Sequence, residues 1–137
     1  MDTYADFKIK KIKKHDMAVI CGTCKKSIIP YDPKLLKEVL DKYIELLSTE
    51  EQKVIILDFR ILEKFSMKLL WEEGVKYSDK IDKLCREKVK CITLISTVSV
   101  IKSALNSFNA VYPAVVPFKI CSSNDEAMKF IMSTSDK

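Results

Sequence analysis

A chain of 137 residues has the size of one domain, and 47% hydrophobic with 31% charged residues is the balance of an ordinary globular protein. Two glycines and four prolines leave little room for flexible linkers, so a single domain over residues 1–137, with a core from about 6 to 132, is expected. The net charge of +5 is modest, no apolar run approaches the roughly 18 residues of a membrane-spanning helix, and Met1 to Asp6 lacks the basic-then-apolar layout of a signal peptide; a cytoplasmic protein is expected.

From Asp6 to about Lys14 apolar Phe7 and Ile9 alternate with lysines, and the phase shifts at Ile12, which predicts a strand with a bulge. His15-Asp16 supplies a turn, and Met17 to Cys21 is again apolar and β-prone, so an antiparallel hairpin opens the fold. Lys25 to Tyr31 reads as a loop. Asp32-Pro33 marks a helix start, with a capping carboxylate and proline in the first helical position. That helix carries Leu36, Val39, Leu40, Tyr43 and Leu47 on one face.

Val54-Ile55-Ile56-Leu57-Asp58-Phe59 is an uninterrupted apolar run ending in an acidic residue, the pattern of a strand buried on both faces of a parallel sheet. A long helix is predicted from about Ser66 to Arg86, with Met67, Leu70, Trp71, Gly74, Val75, Ser78, Ile81 and Cys85 along one side. Cys91 to Ile95 forms the next strand, Val98 to Phe108 a third helix closed by Tyr112-Pro113, and Phe118 to Cys121 the last strand. Ser123, three residues before Glu126, is a capping-box pattern that opens a final helix. The order is ββαβαβαβα, an α/β fold with a mostly parallel sheet and an antiparallel N-terminal hairpin.

Taken in order, three local patterns resemble the STAS domain, the fold of the anti-sigma factor antagonists. They are Val54 to Phe59 before the long helix, Cys91 to Ser96 before the third, and Pro117 to Cys121 followed by Asn124-Asp125-Glu126-Ala127. The resemblance covers nearly the whole chain and implies a non-enzymatic regulatory domain that acts by protein contact. In antagonists of the family the loop before the long helix reads Asp-Ser-Ser-Gly, and its first serine is phosphorylated by a partner kinase. Here the same stretch reads Ser66-Met67-Lys68-Leu69, with methionine where that serine stands, as in a divergent branch without the usual switch.

Ligand and partner sites in parallel sheets lie beyond the carboxyl ends of the strands, which directs attention to the residues from Arg60 to Lys68. The expected partner-contact residues are Arg60, Glu63, Lys64, Ser66 and Lys68. Ser66 reads first as a helix N-cap and second as a phosphosite at the positive end of a helix. Asp58 reads as a local turn or capping group rather than a magnesium ligand.

Cys21-Gly22-Thr23-Cys24 looks like a redox turn, which makes Cys21 and Cys24 the candidate pair for a small thioredoxin-like thiol oxidoreductase. The next helix starts too far on, near Pro33, to activate the first thiol, so the plainer reading is a core Cys21 at a strand end with Gly22 in a turn. A module holding a small ligand or lipid between helix and sheet is the third reading. Five cysteines fit reduced thiols, and one histidine leaves no histidine-based triad or metal cluster; neither metal nor cofactor is expected. Lys8, Lys10, Lys11, Lys13 and Lys14 read as protection of an edge strand rather than a specific nucleic-acid site, with contact to an anionic membrane as the lesser reading. A protein partner and a monomer or weak dimer are expected.

Overall fold

The computed structural model of the chain describes residues 3–4, 7–14, 17–24, 28–29, 33–65, 72, 74–111 and 113–135. The elements are β1 (Thr3–Tyr4), β2 (Phe7–Lys14), β3 (Met17–Cys24), β4 (Ile28–Ile29), α1 (Pro33–Leu47), β5 (Lys53–Asp58), β6 (Lys64–Phe65), α2 (Gly74–Lys88), β7 (Val89–Ile95), α3 (Ser99–Val111), β8 (Phe118–Cys121) and α4 (Asn124–Ser135). Setting aside the two-residue strands β1, β4 and β6, this is the expected order ββαβαβαβα.

The main sheet runs β1-β2-β3-β5-β7-β8, with β1, β2 and β3 antiparallel in turn and the rest parallel. From β3 onward each parallel strand is added on the same side of the last, so right-handed crossovers carry α1, α2 and α3 over one face. On that face Ile20, Leu47, Ile55, Cys85 and Val89 form a buried cluster. The other face is closed by α4, whose Ala127 and Ile131 are fully buried against Val19, Val54, Ile56, Cys91, Ile95 and Cys121. A third cluster, Cys24, Leu62 and Ile101, lies at the carboxyl ends of the strands under the start of α3.

Several local expectations change. The β2–β3 ladder pairs Phe7 with Cys24 through Lys14 with Met17 without a shift, so there is no bulge at Ile12. The irregularity sits instead between β5 and β7, where Lys53 faces Val89 and Ile55 faces Ile92. One extra residue on β7 resets its two-residue alternation, which is why Val89 and Ile92 both pack on the α1/α2 face while Cys91 turns to α4. The expected loop from Lys25 to Tyr31 contains β4, paired in parallel with β6. The long helix is described from Gly74 to Lys88, two residues beyond the expected end at Arg86, and Glu72 just before it is helical as well. His15, Asp16, Asp32, Ser66 to Trp71 and Tyr112 lie outside the described residues.

Strand β3 also overturns the redox-turn reading, because it continues to Cys24 rather than ending at Cys21. Cys21 and Cys24 are three residues apart on an extended strand, so their side chains leave opposite faces. Cys21 packs with the α4-side cluster and Cys24 with Leu62 and Ile101. Three strand steps separate their Cα atoms by about 10 Å, beyond the roughly 7 Å that a disulfide bridges. Gly22 is no turn either: it pairs with Ile9 and Leu57, and a Cβ added there would meet Leu57 Cδ2 at 2.8 Å. All five cysteines are thiols.

The end of α1 is held without a C-capping glycine. Thr49 Oγ1 donates to the Leu46 carbonyl at 3.0 Å, and Lys88 Nζ donates to the Ser48 carbonyl at 3.0 Å. Lys53 Nζ donates to the Leu47 and Thr49 carbonyls, both at 2.9 Å. Lys53 is only 1% exposed, an unusual place for an ammonium group, and the carbonyl end of a helix is where a buried cation is least costly. Substituting Lys53→Met should lower stability by about 1–3 kcal/mol, the cost of leaving buried carbonyls unpaired. Urea unfolding would show it as a lower midpoint, and an unchanged midpoint would refute the role given to the ammonium. Gly22→Val should cost about 1–3 kcal/mol by overpacking against Leu57, whereas Gly22→Ala, met only by the flexible end of that leucine, should cost less in the same assay.

Candidate functional site

The site lies at the carboxyl ends of β3, β5 and β7, where the chain leaves the sheet. Past Asp58 the ladder continues for one bond, with Phe59 N donating to the Ile95 carbonyl at 2.8 Å. Leu62 N then donates to the Phe59 carbonyl at 3.0 Å and closes a four-residue turn, Phe59 to Leu62. Asp58 Oδ1 accepts the Arg60 backbone N–H at 3.1 Å, the short-range bond by which aspartate begins such turns.

The same carboxylate receives the Arg60 guanidinium side-on: Nε lies 3.0 Å from Oδ1 and 3.1 Å from Oδ2, and Nη2 lies 2.6 Å from Oδ2. Partial burial pushes the Asp58 carboxyl up, but the hydrogen bonds and charge of Arg60 outweigh this and hold it below its ordinary value. Arg60 is raised in turn by its bond to Asp58. Asp58 therefore serves the local turn, as its sequence position predicts. Arg60, one of the expected partner-contact residues, is exposed and pairs its guanidinium with Asp58 within its own loop.

Beyond the turn, inward and outward residues alternate. Leu62 is 4% exposed and packs with Cys24 and Ile101, with Phe59, Val98 and Leu105 around them. Ile61 is 55% exposed, and Glu63 is exposed on its other side. Lys64 and Phe65 form β6 and pair with Ile28 and Ile29 of β4. This short parallel ladder ties the loop after β5 to the loop after β3. Ser66 and Lys68, the remaining expected contact residues, lie outside the described residues, as does the phosphosite assigned to Ser66.

The neighbouring strand ends are also occupied internally. Ser96 is fully buried; its N–H donates to the Cys121 carbonyl at 2.9 Å, and its Oγ accepts the Val98 N–H at 3.3 Å. Ser123 caps α4 by accepting the Glu126 N–H at 3.2 Å. The Glu126 carboxylate reaches one residue further back than a standard capping box and accepts the Ser122 N–H at 2.6 Å. That backbone bond is the main reason its carboxyl is held low, despite desolvation, with Lys119 and Lys102 adding to it. Lys102 Nζ donates to Ser122 Oγ at 2.9 Å.

Among the described residues no three histidine, cysteine or acidic groups gather where a metal would bind. Burial raises the thiols of Cys91 and Cys121, and Cys85 is pushed up to about 11 by burial and by Asp82. Those thiols are protonated and poor nucleophiles near neutrality. What the arrangement offers is a fixed surface: a carboxylate-locked turn, an outward isoleucine, an acidic neighbour and a ladder to the adjacent loop. Ile61 and the β4–β6 ladder are the parts that residue patterns alone do not reveal. The local Asp58-Phe59-Arg60 spacing is the one sequence signal for the lock.

No family model matches the chain, and no curated protein does. Among solved structures it is similar to an uncharacterized protein of the DUF3478 family with a SpoIIAA-like fold from Shewanella loihica PV-4, at 16% identity and a TM-score of 0.60, over 90% of this chain and 92% of that one. Among the described residues no helix is long and apolar enough to cross a membrane. The chain has the SpoIIAA-like fold, the fold implied by its resemblance to STAS domains.

Proposed function

We propose that this protein is a non-enzymatic binding module that acts by contact with another protein through the surface formed by the loops after β3 and β5. The observation that carries the reading is the rigid presentation of Ile61. A half-exposed isoleucine is held outward by a turn closed on both sides, tied to Asp58 at its start and to the β4–β6 ladder at its end. An apolar side chain fixed in advance loses little conformational freedom on binding, and that favours use as an interface anchor. Glu63 beside it adds a charge by which partners are discriminated. The location agrees with the general rule for parallel sheets and with the position of the switch loop in antagonists that the sequence resembles. A regulatory role in the manner of those antagonists, without a cofactor and inside the cell, is part of the same reading. The geometry of Cys21 and Cys24 speaks against the oxidoreductase alternative.

Ile61→Glu and Glu63→Lys change exposed side chains and should leave thermal stability within about 0.5 kcal/mol of the original. Each, used as bait in extract from the source cells beside the unaltered protein, should lose the same specific partner. Identical partner sets for all three baits would overturn the assignment of this surface. A second outcome concerns the lock itself. Because the folded Asp58 carboxyl is held low, its contribution to stability is fully present above the unfolded aspartate pKa of about 3.9 and is lost as the pH falls through the lower folded value. Asp58→Asn should therefore be less stable near neutrality, and the gap to the unaltered protein should narrow on acidification below about pH 4. Thermal melts across that range would show it, and parallel curves would remove the ion pair from the account.

A further inference from the structure

The edge of the sheet formed by β1 and β2 carries an unusual combination. Strand β1 pairs with β2 only at Phe7 and Lys8, so along Ile9 to Lys14 the outer side of β2 has no paired strand among the described residues. In an antiparallel pair alternate residues turn their N–H and C=O groups away from the partner, so about three of those six residues offer backbone hydrogen bonds outward. The seven residues from Lys8 to Lys14 include five lysines and no acidic residue. Register with β3 places Lys10 and Lys14 at positions on the α4 side, opposite Cys21 and Met17, with half-buried Ile12 between them opposite Val19. Lys11 and Lys13 take positions on the other side, opposite Ile20 and Ala18. Lysine positions thus alternate between the two sides of this stretch of β2.

Lysines on an edge strand prevent edge-to-edge pairing of identical chains, because two such edges would bring ten lysines together. The same charge does not block the backbone groups, and it selects the sign of any strand that approaches. We propose that the Ile9–Lys14 edge of β2 is a docking site for an extended acidic segment of another protein, which adds to the sheet as a further strand. Backbone ladder bonds supply the attachment, and acidic side chains facing the lysine positions on both sides of the sheet supply selectivity.

The probe is a synthetic peptide in which five glutamates and two valines mirror the order of Lys8 to Lys14, compared with the same peptide N-methylated on alternate residues. N-methylation keeps the charge and removes the ladder donors. The unmodified peptide should bind, protect Ile9–Lys14 amides from hydrogen exchange and weaken with added salt, and the N-methylated form should bind at least about tenfold more weakly. Lys10→Glu with Lys13→Glu should abolish binding without shifting the melting temperature. Equal binding of the two peptides would reduce the effect to charge attraction and overturn strand addition. Absence of peptide binding, or preferential binding to phosphatidylserine vesicles or single-stranded RNA under the same conditions, would overturn the proposal as well.

Discussion

The fold rests on what becomes of one ammonium group. Helix α1 must end, turn and deliver the chain into the centre of the sheet at β5, and its last carbonyls would otherwise be buried without donors. Lys53 answers both needs, because it is the first residue of β5 and its side chain reaches back to the helix end it has just left. The central strands pair on both sides of that anchor. Ala18 and Val89 flank Lys53 on either side, and the extra residue of β7 falls immediately after that pairing. Lys88, at the end of α2, donates to the Ser48 carbonyl in the same α1 terminus, so two helices and the central strand meet around one set of carbonyl oxygens.

The elements legible in the sequence are those whose signal is carried by side chains over several residues. The run from Val54 to Leu57 predicts a doubly buried strand because every position must be apolar, and Phe118 to Cys121 with Ser123 and Glu126 predicts a strand and a capped helix from chemistry that is local. Lys53 was not legible as a core residue, since its partners are backbone oxygens that any sequence possesses. Nor was the β4–β6 ladder, two pairs of residues joined across 36 positions of chain by main-chain bonds alone. The reading of Cys21 and Cys24 failed for a different reason. A Cys-x-x-Cys spacing brings thiols together in a turn or helix and separates them in a strand, and Gly22, which suggested the turn, is explained instead by the closeness of Leu57.

The site was half legible. The place of its loops beyond the carboxyl ends of the strands follows from the strand pattern, and Asp58 was correctly read as a local turn group. The ion pair of Arg60 was not legible, because only the folded turn brings a half-sheltered carboxylate two residues away side-on to the guanidinium. The exposed side chain left prominent is an apolar one, Ile61, and only the geometry of the closed turn distinguishes it from Leu62, its buried neighbour of almost the same chemistry.

The division of helices between the two faces bears on how the chain acquires its structure. Three crossover helices join the sheet as each successive strand is added, so the α1/α2 face can form progressively during synthesis. The opposite face has no such local cover: Val19 and Val54 share a cluster with Ala127 and Ile131, residues more than 70 positions away. Contacts of that separation form late because a long loop must close first. Until Ile131 has emerged from the ribosome, a strip of apolar sheet is bare to water, and in that interval the nascent chain is most exposed to aggregation and most in need of a chaperone.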